Sequence, residues 1–182
     1  MRVLYNDGDF ITDEILKYIM RNADKIKRVF LTANRLGVEG CLAFDYSGNA
    51  RSIINVSGAS TPVPEMENTF FTIHNHFDEE DDIPSIGDIL FAKNSGINIS
   101  CIAVPYRDDR IKISCYILKI ENEEELESDA KYLDDLTHEY LASECITIDD
   151  KEICGEEALD FLDEFERYLS ERNTKKILEV IL

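Results

Sequence analysis

The sequence predicts an α/β (α+β) fold in which helices flank a central sheet, and three observations carry that reading. Four segments repeat apolar residues at the spacing of an amphipathic helix. About five others are short apolar or alternating runs bounded by turn residues, the signature of strands. The chain has 182 residues, 44% hydrophobic and 31% charged, enough apolar side chain for one globular domain with its own core.

Taken in order, Ile11, Ile15, Leu16, Ile19 and Met20 recur at helical spacing behind Asp13 and Glu14, so a helix is expected over roughly 11–24 with its apolar stripe on a sheet. The run from Ile26 to Asn34 fits a second short helix or a strand equally well. Gly37 and Gly40 bracket Val38 and Glu39. Cys41 to Tyr46 then reads as a strand that turns at Ser47, Gly48 and Asn49 into a second strand over 51–57. Residues 58–67 carry Gly, Ser, Thr and two prolines and are expected as a surface loop before a strand from Thr69 to His74. A helix from Ser85 to about Ser95 stops at Gly96. Ile97 to Pro105 is apolar enough for a central strand, and after a turn at Arg107 to Arg110 the alternation from Ile111 to Leu118 marks a more exposed one.

Beyond residue 122 the pattern becomes helical. Leu126, Ala130, Leu133, Tyr140 and Leu141 lie on one long helix, and Ala158, Phe161, Leu162, Phe165 and Leu169 on another. Cys145 to Cys154 reads as a short hairpin around Asp149, Asp150 and Lys151. The expected organisation is a core over 1–122 and a helical C-terminal extension over 123–182, packed on or beside it.

Charge and composition exclude several classes. A formal net charge of −19, with no basic cluster among the 19 Lys and Arg, repels a phosphate backbone, so no nucleic-acid partner is expected. The N-terminus lacks an uninterrupted apolar stretch and no window approaches a membrane span, which points to a cytoplasmic protein without a membrane partner. Five cysteines without a C-x-x-C pair read as reduced, mostly core thiols rather than a disulfide framework or thiolate metal site.

Chemistry concentrates in Phe70 to His76 and Pro84 to Asp88. Residues i and i+2 of a strand share a face, so His74 and His76 project side by side from the end of an apolar strand. Ser85 and Asp88 are three apart at a helix start and share one side of its first turn. Two imidazoles and one carboxylate are a set that holds a catalytic zinc with a fourth position left for water. Plainer readings stand beside this one. A histidine pair can be an exposed edge, Ser-x-x-Asp is close to a capping box, and Glu39 can be a surface glutamate beside a glycine. The acidic run from Asp78 to Asp82 is solvated, or supplies a substitute ligand, or attracts a cationic substrate. Cys41 is expected in the core and His138 on the surface.

His74, Asn75 and His76, then Ser85 to Asp88, preceded by Glu39 at the opening of a strand, resemble the signature of the JAB/MPN (JAMM) zinc metalloproteases, and the His-Asn-His wording looks most like the RadC-like or prokaryotic JAB branch. The resemblance covers about residues 11–120 and departs from the family pattern in two places. Eight residues rather than seven separate His76 from Ser85, and Phe77 stands where the family has proline. A longer surface loop costs little, so the extra residue is expected to be absorbed between Phe77 and Ile83 with Asp88 keeping its place. The resemblance implies a cytidine-deaminase-like central mixed sheet flanked by helices. It also implies zinc on His74, His76 and Asp88, with Glu39 as general base and Ser85 as oxyanion donor. The implied reaction is hydrolysis of peptide or isopeptide bonds, in the family at the tails of ubiquitin-like proteins. Two rivals are a phosphoesterase that also uses His-x-His, disfavoured because only His138 remains as a further histidine, and a non-catalytic MPN-like scaffold or RadC-like DNA-associated protein.

Overall fold

The computed structural model describes residues 3–5, 10–55, 63–64 and 66–182. Most of the loop expected over 58–67 and the last two residues of the strand expected over 51–57 lie outside the described residues. In chain order the elements are β1 (Val3–Tyr5), α1 (Phe10–Arg21), α2 (Ala23–Leu36), β2 (Gly40–Asp45), β3 (Ala50–Ile54), β4 (Thr69–Asn75), α3 (Ile86–Ser95), β5 (Ile99–Tyr106), β6 (Arg110–Leu118), α4 (Glu123–Ser143), β7 (Cys145–Ile148), β8 (Lys151–Cys154), α5 (Glu156–Asn173) and β9 (Thr174–Ile181).

The ambiguous run after residue 25 is helical. Ile26, Val29, Phe30 and Ala33 fall at i, i+3, i+4 and i+7 and are all buried, so one stripe of α2 pays for its burial against the sheet as no isolated strand face could. Gly37, with φ 64°, ends α2 by donating back to the Asn34 carbonyl while Val38 donates to Ala33. The β2–β3 turn is tight for a similar reason. Gly48 has φ 79°, and a Cβ there would fall 2.6 Å from the Tyr18 ring of α1.

Among the described residues the main sheet has seven strands in the order β1-β9-β6-β5-β4-β2-β3, and β7 and β8 form a separate hairpin. β4 and β5 run parallel and every other described pairing is antiparallel, so the sheet is mixed. Helices α1 and α2 bury Ile15, Ile19, Ile26 and Phe30 against Leu42, Phe44, Phe71, Ile73, Ala103 and Ile113 on one face. Helices α3, α4 and α5 pack on one another through Ile89, Leu126, Leu136, Ala158 and Leu162 on the other side. The strand residues of opposite parity, among them Cys41, Thr72, His74, Ser100, Ile102 and Ser114, therefore face α3.

Three features depart from the sequence reading. The main sheet exceeds the expected five strands because β9 lies between β6 and β1. The C-terminal segment is thus not helical throughout: Thr174–Ile181 returns to the sheet, with Leu178 and Val180 in the core beneath α1 and α2. That strand follows α5 directly at Asn173 and Thr174, with no Gly or Pro to mark the change of period. The cysteines are the third. Cys101 pairs with Cys115 and Cys145 with Cys154 as disulfides, leaving Cys41 as the free thiol. Each pair sits directly opposite in a hairpin register that the two-residue turn between its strands sets, so the expected turns bring together cysteines that were read as reduced thiols. The two hairpin turns use Asp108–Asp109 and Asp149–Asp150, all four at positive φ, as two-residue hairpin loops require.

No helix among the described residues is long and apolar enough to cross a membrane.

Candidate metal centre

β4 carries the two histidines at its C-terminal end, and the start of α3 carries the carboxylate. His74 Nε2 lies 3.2 Å from His76 Nε2, and Asp88 Oδ2 lies 3.1 Å and 3.6 Å from these two nitrogens. A four-coordinate ion with bonds of 2.0–2.2 Å at tetrahedral angles separates its ligand atoms by about 3.3 Å. The three atoms already form one face of such a tetrahedron. They are the donor set that could hold a metal ion. A second group, Cys145, Glu152 and Cys154, offers only Glu152, because its two sulfurs are bonded to each other.

The local sequence explains the convergence. Ser85 is the N-cap of α3: its hydroxyl accepts from Asp88 N–H at 3.2 Å, and Asp88 Oδ2 accepts in return from Ser85 N–H at 2.8 Å. The Ser85 hydroxyl also donates to Asp88 Oδ2 at 2.8 Å. The capping box and the metal site are therefore one structure, and the cap fixes the rotamer that turns Asp88 to the histidines. In this geometry the Ser85 hydroxyl is engaged with Asp88 while lining the cleft. Burial pushes the Asp88 carboxyl up, but the charge and hydrogen bond of His74, with the bonds of His76 and Ser85, hold it well below the usual range. For His76, burial disfavours the charged ring, and the Asp81 and Asp88 carboxylates outweigh it, raising its pKa to about 10.

The acidic loop supports the site from behind. His76 Nδ1 is 2.9 Å from the Asp81 carbonyl and 3.0 Å from Asp81 Oδ2, so the distal nitrogen is fixed and Nε2 is left to face Asp88. Asp88, not Asp81 or Asp82, joins the two histidines. Asp82 turns the other way, onto Ser114 Oγ at 2.7 Å, Lys176 Nζ at 3.0 Å and Lys112 Nζ at 3.2 Å, and Lys112 also donates to the Glu79 carbonyl. Two lysines, one on β6 and one on β9, thus pin the loop to the sheet. α5 adds a third support: Glu166 Oε1 accepts from Ile86 N–H at the first turn of α3.

Glu39 immediately precedes β2. Cys41 pairs with His74, so Glu39 continues that register opposite His76 and on the same face. It lines a cleft of about 680 Å³ together with His74, His76, Ser85 and Asp88, with Phe77 and Phe91 on the apolar side. All five residues singled out in the sequence meet there. Cys41 is buried in the cleft wall, where burial first, then Asp88 and Glu39, push its thiol up to about 12. His138 sits on the exposed side of α4, bonded to the Asp134 carbonyl.

Sequence reasoning missed the roles of Asn75, Lys112, Lys176 and Glu166, and it weighed Asp82 as a solvated residue or substitute ligand without its lysine partners. Asn75 carried a signal, an amide inside an apolar strand that must find buried partners. The others carried none, since their partners lie 30 to 94 residues away. In comparison with known proteins, no family model matches the chain, and no curated protein or solved structure is significantly similar to it.

Proposed function

We propose that the chain is a zinc-dependent hydrolase of peptide or isopeptide bonds, of the JAB/MPN (JAMM) type and RadC-like branch. One observation carries the reading: His74 Nε2, His76 Nε2 and Asp88 Oδ2 converge at ligand spacing in a cleft whose wall includes Glu39. The mixed sheet with helices on its faces is compatible with the JAB/MPN fold.

Two neutral imidazoles and one carboxylate are a donor set that would leave a bound divalent ion with net positive charge. His74, His76 and Asp88 would hold the zinc, and the chemistry it would supply when bound is a water acidic near pH 7 and Lewis-acid polarisation of a carbonyl. Glu39 accepts the proton of the attacking water and delivers it to the leaving amine. Ser85 holds Asp88 through its backbone N–H, and its single hydroxyl proton, turned from Asp88 Oδ2 toward the cleft, would donate to the carbonyl oxygen as negative charge grows. Asp81 keeps His76 in the tautomer that presents Nε2. The substrate is a protein or peptide, with the tails of ubiquitin-like proteins as the class to test first. Nucleic acid is disfavoured as a partner by the net charge of −19.

The test pairs metal content with hydrolysis. The wild type is expected to carry one zinc per chain and to cleave members of a panel of ubiquitin-like C-terminal amides and tagged peptides in a phenanthroline-sensitive manner. Glu39→Gln is expected to keep fold and zinc and to lose on the order of 10²–10⁴ in rate. Absence of stoichiometric zinc overturns the proposal. Zinc without chelator-sensitive cleavage supports a metal-stabilised interaction scaffold instead.

A further inference from the structure

Asn75 stands between the two histidines and, by the alternation of β4, points to the opposite face of the sheet, where it is fully buried. Its Oδ1 accepts from Gly40 N–H at 2.6 Å. Its Nδ2 donates to Asn34 Oδ1 at 2.8 Å and reaches the Val38 carbonyl at 3.4 Å. The Val38 carbonyl and the Gly40 N–H belong to the two peptide groups on either side of Glu39.

We infer that Asn75 is a positioning residue for Glu39, its one amide clasping the backbone on both sides of Glu39 and so setting where that carboxylate stands relative to His74 and His76. The inference rests on the role proposed for Glu39. A single side chain links the ligand strand to the base, because the residues flanking Asn75 are the two histidines. Only an amide meets the requirement: the Gly40 side needs an acceptor and the Val38 and Asn34 side needs a donor. Aspartate keeps the first and lacks the second. The segment has little other freedom. Asn55 N–H holds the Glu39 carbonyl at 3.0 Å from the β3 side, and a Cβ on Gly40 would stand 3.3 Å from the Ala33 Cβ and 3.4 Å from Val29 Cγ1 of α2. A side chain there would press α2 back by a few tenths of an ångström. With α2 behind, β3 beside it and the β2–β4 ladder starting only at Cys41, the Asn75 amide is the side-chain contact that extends the hold of β4 past that ladder to Glu39.

The test is a double-mutant cycle of Asn75→Asp with Glu39→Gln on the zinc-loaded protein, with amide exchange at Gly40 in the metal-free protein as a readout independent of hydrolysis. Asn75→Asp is expected to retain zinc and KM while kcat falls on the order of 10–100-fold, the cost of misplacing a reacting group. In the Glu39→Gln background the same substitution is expected to change the residual rate less than twofold. Asn75→Leu is expected to accelerate exchange at Gly40 without changing it in β5 and β6; where that variant does not fold, Asn75→Ser serves for the same measurement. An equal loss of kcat in both backgrounds means a merely structural role and overturns the inference, as does unchanged exchange at Gly40. A wild type with no hydrolysis defeats the proposed function, while the exchange measurement still decides whether the clasp exists.

Discussion

Replacing Asp81 by alanine separates a residue that orients a ligand from one that is a ligand. Removing the carboxylate behind a metal-bound histidine lowers metal affinity about 10–100-fold, or about 1.4–2.8 kcal/mol. The geometry places Asp81 at the lower end of that range. Its side chain is 62% exposed, so solvent screens the pair, and its main-chain carbonyl, 2.9 Å from His76 Nδ1, survives the substitution and still fixes the tautomer. The expected loss is about tenfold. It is read by competing zinc between the protein and a chromophoric chelator at one alkaline pH, because the proton that Asp81 and Asp88 help to hold on His76 competes with the metal. Unchanged affinity refutes the orienting role. Loss of stoichiometric zinc refutes more, since it makes Asp81 a ligand in the place assigned to Asp88.

Two further outcomes test the supports of the site. Asp82 has a lowered pKa: burial pushes it up, and Ser114, Lys176 and Lys112 more than offset that, so its contribution is present above the unfolded carboxylate value of about 3.9 and is lost as pH falls through the lower folded one. Asp82→Asn should therefore lower Tm at neutral pH by about 4–8 °C, for roughly 2 kcal/mol, and the gap to wild type should close in acid; a gap independent of pH counts against the ion cluster. Cys145 and Cys154 close a loop of nine residues, worth about 2.5 kcal/mol in the chain-entropy model, so the double serine variant should melt lower with unchanged zinc. An unchanged melting temperature counts against the disulfide.

Much of the site was legible because its members are close in sequence. His74 and His76 share a strand face through the period of two, and Ser85 and Asp88 share a helix turn, so local geometry alone brings each pair together. The turns at Asp108–Asp109 and Asp149–Asp150 were legible for the same reason: a local backbone requirement selects the residue type. Glu39 was not legible from its surroundings. Only the motif singled it out, and its presence in the cleft follows from the pairing of Cys41 with His74.

The sequence by itself determined most of the helices and strands between residues 40 and 173, the pairing of two histidines on one face, and a capping box that doubles as a carboxylate arm. These depend on interactions within a few residues, where backbone geometry leaves few options. Tertiary structure alone decided the placement of β9 between β6 and β1, the grip of Lys112 and Lys176 on Asp82, and the hold of Asn75 on both sides of Glu39. Each of these joins groups brought together by sheet register and helix packing, and register is set by burial of a whole face rather than by any residue's neighbours along the chain.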